Sequence, residues 1–174
     1  MIHKAAPTLE TDRLRLRACR LADFEYFAEL YASQRSQFAD GPISRSTAWT
    51  WFAAGAGRWH LTGYGAWAIE RREDEVCVGV VSLNYPIEVG YERELGWLLW
   101  EAYEGNGYAV EAAFEARRFA FEELGWTDLV SYIHADNDQS IRLVERMGAT
   151  LDRATPSPDD DPTLVYRHYL HTKP

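Results

Sequence analysis

Residues Tyr103–Ala109 have the sequence YEGNGYA, which places two glycines around a turn-forming asparagine. The apolar run ELGWLLW at Glu94–Trp100 precedes this loop, and a helical pattern from about Gly107 to Leu124 follows it. A helix N-terminus exposes unpaired backbone N–H groups at the positive end of the helix dipole, which favours phosphate binding. The loop therefore predicts either a phosphate cradle or a glycine turn in which Asn106 only caps the helix.

Two common phosphate-binding motifs do not match this loop. A dinucleotide fingerprint that starts at Gly105 requires glycine at position 110, where the chain has Val110. A P-loop requires lysine directly after its last glycine, and here Tyr108 follows Gly107. The loop therefore binds phosphate in another way, or does not bind it.

A second signal is a short helix predicted from about Asn137 to Met147, with Gly148 as its stop. Asn137 and Ser140 lie in its first turn, where both residue types commonly cap a helix and need no other role. The loop and this helix follow one another along the chain, each behind an apolar strand.

The rest of the chain alternates strand and helix patterns, which predicts one mixed α/β domain over residues 1–174. One helix starts at Ala22, and a second is capped by Ser44 or Ser46 and weakened by Gly55 and Gly57. The predicted strands are Leu14–Arg17, Tyr64–Glu70, Val76–Asn84, about Arg93–Trp100, Leu129–His134, Thr150–Ala154 and Thr163–Leu170. Pro156–Pro162 is predicted to be an exposed acidic loop.

Composition excludes several classes of protein. The 174 residues are 47% hydrophobic and 26% charged, which is a globular balance. No apolar run approaches the ~20 residues of a membrane helix, and no signal core follows the N-terminus, so a cytoplasmic protein without a membrane partner is expected. A net charge of −9 disfavours nucleic acid and suits a cationic or amine-bearing partner.

Metal and disulfide chemistry have little support in the sequence. Cys19 and Cys77 form no CxxC pair, so neither a disulfide framework nor a thiolate metal site is expected. His168 and His171 lie near the C-terminus without an evident third ligand, so no metal site is expected there either.

The chain resembles the GNAT acyl-CoA N-acyltransferase superfamily, in particular its RimJ/RimL-like branch. The resemblance covers nearly the whole chain. Its motifs are LETDRLRLR at Leu9–Arg17, ELGWLL at Glu94–Leu99, GNGYA at Gly105–Ala109, N-x-x-S at Asn137–Ser140 and ERMGA at Glu145–Ala149.

This resemblance implies an α/β fold with a mixed seven-stranded sheet, about four flanking helices and acetyl-CoA in a split between the fourth and fifth strands. The loop matches the family pattern Q/R-x-x-G-x-G/A except at Glu104, which replaces Gln or Arg and is expected to turn to solvent. The implied cofactor-binding residues are Leu98, Leu99, Glu104, Gly105, Asn106, Gly107, Tyr108, Ala109, Asn137 and Ser140.

The implied reaction is direct transfer of an acetyl group to a primary amine. Glu94 is the first candidate for the base and His134 the second, although either could have only a structural role. A backbone amide near Leu98–Leu99, on a bulged strand, is the expected oxyanion donor. Many family members use a tyrosine as acid where this chain has Val144, which leaves Ser140 as the nearest donor to the leaving sulfur.

The acceptor site is expected between the first two helices and the hairpin strands. Its candidate walls are Trp49, Tyr64, Trp67 and Trp97, although aromatic residues of this kind also form cores. The acceptor could be a protein N-terminus or a small amine, and a non-catalytic acyl-CoA sensor is a third reading. No sequence feature decides whether the chain forms a homodimer.

Overall fold

The computed structural model describes residues 5–84, 90–156 and 162–170. Most of the predicted acidic loop, and His171, therefore lie outside the described residues. The helices are α1 Phe24–Ala32, α2 Arg45–Thr62, α3 Tyr108–Glu122 and α4 Asp138–Arg146. The strands are β1 Leu9–Glu10, β2 Leu14–Ala18, β3 Ala66–Arg71, β4 Cys77–Asn84, β5 Glu94–Leu99, β6 Val130–His134, β7 Thr150–Leu151 and β8 Thr163–Arg167.

All eight of these strands form one sheet, in the order β1-β2-β3-β4-β5-β6-β8-β7. Neighbouring strands are antiparallel except β5 and β6, which are parallel. The mixed α/β class is confirmed, and the sheet has one strand more than the seven expected. The additional strand is β1, whose two residues pair with Leu16 and Arg15 and are too few to show a periodic pattern.

The sheet splits between β5 and β6, the fourth and fifth of the predicted strands. The register of β5 and β6 contains one residue pair, Glu94↔Val130. At this closed end, the Val130 N–H donates to the Arg93 carbonyl at 2.9 Å, and the Arg167 guanidinium donates to both oxygens of Glu92 at 2.9 Å. From there the strands diverge toward Leu99 and His134, so the opening lies at their carboxyl ends.

Different side chains cover the two faces of the sheet. The helix α3 packs on one face through alanines that are fully buried against Leu95 and the neighbouring strands: Ala112, Ala113, Ala116 and Ala120. Small side chains allow this close approach. The helices α1 and α2 cover the other face with aromatic side chains, against which Leu98 packs: Phe24, Phe27, Tyr31 and Phe52. Because side chains alternate along β5, the split connects these two environments.

One charged network corrects the expectation of a half-buried β2. The alternation of apolar and basic residues at Leu14–Arg17 is typical of a strand with one buried face, but Arg17 is only 6% exposed. Its guanidinium donates to both oxygens of Asp23, at 2.8 and 3.0 Å, and also to Glu70. The two carboxylates lie in elements far apart in sequence, so a strand pattern does not reveal them.

None of the helices in the described part of the chain is long and apolar enough to cross a membrane. Within the same residues, no group of three or more His, Cys, Asp or Glu side chains is arranged to hold a metal ion.

Candidate active site

A cavity of about 1300 Å³ occupies the split between β5 and β6. Its walls include Tyr31 and Trp51 from the α1–α2 face, and Ala109 and Ser140 from α3 and α4. The cavity therefore extends through the sheet, because the register of β5 and β6 ends at Glu94 and Val130. Two ligands could enter from opposite faces and meet between the strands.

Backbone groups of β5 line the split. The Trp100 N–H donates to the Val78 carbonyl at 3.0 Å, so the even-numbered residues of β5 turn their N–H groups toward β4. The Arg93 carbonyl accepts from β6, so the odd-numbered residues turn toward the split. The N–H groups of Trp97 and Leu99 therefore face the cavity.

The alternating direction of the N–H groups along β5 refines the expected position of the oxyanion donor. The N–H of Leu98 pairs with β4, whereas those of Trp97 and Leu99 are oriented toward a ligand in the split. The expected bulge in this strand is also corrected, because the β4–β5 register continues from Gly79↔Leu99 to Asn84↔Glu94 without a shift. Divergence from β6, rather than a bulge, makes these amides accessible.

The glycine loop has a backbone suited to phosphate. Gly105 and Gly107 have φ values of +76° and +77°, a region that disfavours other residues. Gly107 is the N-cap of α3. Asn106, which the sequence suggested as the cap, instead donates to the carbonyls of Tyr103 and Glu104 at 3.1 Å. The loop thus closes on itself and leaves the first-turn amides of α3 available to an anion.

Predicted loop residues divide between two positions. Glu104 and Ala109 line the cavity, as do Leu98 and Leu99. The four residues between Glu104 and Ala109 lie outside its walls and shape the turn: Gly105, Asn106, Gly107 and Tyr108.

The beginning of the chain holds this loop in place. Glu111, in the first turn of α3, accepts from the Thr11 hydroxyl at 2.5 Å and from the Arg13 Nε at 2.7 Å. The Arg13 Nη1 donates to the Asn106 carbonyl at 2.9 Å. The residues Thr11–Arg13 therefore position the glycine loop, although the two are about 100 residues apart in sequence.

Glu104 does not turn to solvent, and this corrects the expectation from the sequence. Its carboxylate forms an ion pair with Arg35, which belongs to the segment between α1 and α2. Both side chains line the cavity and are about 30% exposed. A carboxylate next to an anion-binding loop is stabilised better by a cation than by water alone.

Glu94 lies on the α1–α2 side of the cavity, opposite the end of β4. The Asn84 Nδ2 donates to its Oε2 at 3.1 Å, and Arg58 donates to the Asn84 Oδ1. The neighbouring Arg93 pairs with Asp128 at 3.3 Å. Arg58 and Asn84 therefore orient Glu94 as positioning residues.

Two further groups share this side of the cavity with Glu94. Burial, together with the charges of Asp40 and Glu94, raises the pKa of the Tyr31 hydroxyl to about 12. Tyr31 therefore stays protonated, and both it and Asp40 line the cavity. An environment with two carboxylates and a neutral hydroxyl suits a cationic group.

The remaining candidates lie on the opposite wall. The His134 Nδ1 accepts from the Asp136 N–H at 3.1 Å, and the ring lies 5.0 Å from that of Phe38. The Asn137 Oδ1 accepts from the Ser140 N–H at 3.2 Å, which confirms the cap and leaves the Nδ2 group as the donor of this side chain. All three predicted residues of this wall contribute to the cavity: His134, Asn137 and Ser140.

Only one of the four expected acceptor-site aromatics contributes to the cavity. Trp67 is fully buried in the core, where its indole donates to the Pro7 carbonyl. Tyr64 packs against Trp126, and Trp49 packs at the surface against Phe24. Trp97 lines the cavity, but from the α3 side of β5. Whether each aromatic side chain faces the cavity depends on its position in the alternation of a strand or on its face of a helix, and not on its residue type.

The sequence did not single out Arg35, Asp40, Arg58 or Asn84. Arg35 and Asp40 lie between α1 and α2, Arg58 lies within α2 and Asn84 ends β4, and no motif marks any of them. Asn84 alone had a signal, because it ends the predicted strand Val76–Asn84 and faces Glu94 once β4 and β5 are paired.

The chain resembles acetyltransferases in both sequence and fold. A family model described as an acetyltransferase (GNAT) domain matches residues 13–150. The crystal structure of an acetyltransferase from Agrobacterium tumefaciens str. C58 is 41% identical, with a TM-score of 0.89 and 95% of each chain covered. A Bacillus subtilis (strain 168) protein named uncharacterized N-acetyltransferase YoaA is 26% identical over 145 residues, with 82% of each chain covered.

A more distant structure shows the same fold with a ligand. It is RimL, a ribosomal L7/L12 alpha-N-protein acetyltransferase in complex with coenzyme A. The TM-score is 0.74 at 18% identity, and the match covers 96% of this chain and all of that one.

Proposed function

The chain belongs to the GNAT acetyltransferase family, and on this basis we propose that it transfers an acetyl group from acetyl-CoA to a primary amine. The observation that carries the proposal is the cavity through the split sheet. It brings the outward N–H groups of β5 and the glycine loop to one ligand, and Glu94 to another. This arrangement suits direct transfer, in which donor and acceptor meet without a covalent enzyme intermediate.

The residues of the split fit acetyl-CoA in two ways. The first-turn amides of α3 and the positive-φ glycines suit its pyrophosphate. The backbone groups of Trp97 and Leu99, with the Asn137 Nδ2, suit the amides of its pantetheine arm. The bound molecule supplies an acetyl group activated as a thioester.

In this proposal, residues of the chain accept a proton, stabilise the developing negative charge and donate a hydrogen bond to the leaving sulfur. Glu94 accepts the proton that the amine must lose before it attacks the carbonyl. A β5 N–H group stabilises the negative charge that develops on the carbonyl oxygen. The Ser140 hydroxyl donates a hydrogen bond to the departing sulfur. Val144 lies fully buried between α4 and β6, so it plays no part in this step.

The favoured acceptor is an α-amino group at a peptide N-terminus. An α-amino group has a pKa near 8, about two units below that of a lysine side chain, so a larger fraction of it is already neutral near pH 7. The fold shared with the ribosomal-protein acetyltransferase RimL supports this choice. A small amine acceptor would use the same Glu94 environment and is distinguished by the substrate panel below.

The first test is calorimetric titration of the purified chain with acetyl-CoA. We expect micromolar binding, lost in Gly107→Trp, whose side chain would fill the start of α3. The matched control is Gly125→Trp, at the other end of α3, where φ is also positive at +66° and nothing lies within 4 Å. Absence of binding to the folded wild-type chain would overturn the proposal.

The second test is release of free thiol with a panel of peptide N-termini, lysine side-chain analogues and polyamines. We expect Glu94→Gln to lower kcat/KM by about 100-fold near pH 7, and the deficit to shrink at higher pH as the amine deprotonates unaided. Ser140→Ala should cost less, about tenfold. Tight acetyl-CoA binding without thiol release for any amine would identify a sensor instead of an enzyme.

A further inference from the structure

We propose that Arg35 binds the pyrophosphate of acetyl-CoA, and that Glu104 holds it in position for this role. The inference rests on the proposed acetyl-CoA site and adds to it a residue from a different part of the chain. Arg35 follows α1, 69 positions before Glu104, and no phosphate motif includes it.

The loop needs such a cation because of its own charge. Glu104 places a carboxylate in the wall of a cavity whose proposed ligand carries phosphates. A carboxylate and a phosphate that share one partly desolvated cavity repel one another. Pairing with Arg35 removes this repulsion and brings a guanidinium to the loop.

The Arg35 guanidinium has more N–H donors than its pairing with Glu104 uses. It carries five N–H groups, and a carboxylate accepts two of them at most in one plane. The Nη2 donates to Glu104, while the Nη1 lies 3.7 Å from the Oε2 of Glu101, which is 82% exposed. Because Arg35 itself lines the cavity, its other N–H groups can form the planar contact that phosphate oxygens favour.

The segment that carries Arg35 is held by a local cap and by packing against β6. The Arg35 N–H donates to the Ser33 hydroxyl at 3.3 Å, which caps the short turn Gln34–Ser36. Farther along, Phe38 packs against His134 at the end of β6. Arg35 is therefore already in place before a ligand arrives, which lowers the entropy lost on binding.

The test compares acetyl-CoA with 3′-dephospho-acetyl-CoA, which lacks only the 3′-phosphate, and with S-acetyl-pantetheine, which lacks the pyrophosphate together with the whole 3′-phosphoadenosine. Calorimetry gives Kd values for the wild type, Arg35→Gln, Glu104→Gln and the double variant. We expect Arg35→Gln to weaken the first two ligands about 10- to 100-fold, as for the loss of a charged hydrogen bond, and acetyl-pantetheine by less than about twofold. The double variant should bind acetyl-CoA at least about fivefold more weakly than Glu104→Gln alone.

Controls separate the alternatives. Arg35→Lys keeps the charge and should recover part of the affinity, and Arg45→Gln removes an exposed arginine of α2 that pairs with Glu25. Equal weakening of all three ligands by Arg35→Gln, or no weakening, would overturn the role of Arg35. So would equal affinities of the double variant and Glu104→Gln, since the pair would then only neutralise the carboxylate. Failure of the wild type to bind any of the three would instead overturn the proposed function itself.

Discussion

His168 is a residue whose position in the fold differs from the one its sequence context suggests. The sequence marked it only as one of two histidines near the C-terminus, but it is 2% exposed directly after β8. Its Nε2 lies 2.9 Å from the Ser131 hydroxyl, which donates to the Leu95 carbonyl at 2.6 Å across the split. Because the Ser131 hydroxyl donates its hydrogen to the Leu95 carbonyl, it accepts from His168. We therefore assign the neutral tautomer with the proton on Nε2.

This burial predicts a dependence of stability on pH. Burial, and then the charge of Arg117, lower the pKa of His168 from 6.5 to about 3. Between these values the unfolded chain binds a proton that the folded chain does not. The free energy of unfolding should therefore fall as pH decreases from about 6.5 toward 3, at up to ~1.4 kcal/mol per pH unit.

Urea unfolding of the wild type and His168→Gln from pH 7 to 5 measures this slope. We expect His168→Gln to lose most of the pH dependence of the free energy of unfolding. His60→Gln, on the exposed surface of α2, should keep this dependence. An unchanged slope in His168→Gln would show that other groups cause the dependence.

At the scale of elements, tertiary contacts override local propensity in α2. The sequence predicted that Gly55 and Gly57 weaken this helix, yet it continues through both of them to Thr62. A Cβ at Gly55 would lie 3.2 Å from that of Ala66, and one at Gly65 would lie 2.7 Å from the Gly55 carbonyl. The glycine that weakens the isolated helix allows it to pack close to β3.

The buried network of Arg17 joins three elements and predicts a large loss of stability when it is broken. Arg17→Met would leave Asp23 and Glu70 buried without their main cation, which typically costs about 3–5 kcal/mol. The measurement is the free energy of unfolding in urea. Arg45→Met is the matched control, because its pair with Glu25 is 62% exposed on both sides and should contribute little to stability. Equal small losses in both variants would contradict the structural importance of the network.

At the scale of the whole molecule, the split divides the sheet into two parts that are joined by few contacts. One register pair, the Ser131 bridge and the Arg167–Glu92 ion pair connect β5 with the strands beyond it. A ligand that fills the split contacts both parts and should stabilise the fold as a unit. Binding only to the folded chain adds about 2.7 kcal/mol at a ligand concentration of 100 Kd.

Thermal unfolding with and without acetyl-CoA measures this effect. For a chain of this size the expected rise in Tm is about 5–10 °C. Gly107→Trp should show no rise, and Gly125→Trp should show the full one. A wild-type Tm that does not change at saturating ligand would contradict binding in the split.

Local patterns in the sequence were enough to predict the strand, glycine turn and helix around Tyr103–Ala109, the Asn137 cap and the mixed α/β class. These features depend on neighbouring residues, whose backbone preferences act over a few positions. Three features of the site were decided by tertiary structure: the pairing of Arg35 with Glu104, the support of Glu94 by Asn84, and the direction of the β5 amides. Each depends on strand register or on contacts between distant elements. Because a shift of one residue in register reverses which groups face the split, no local pattern can specify them.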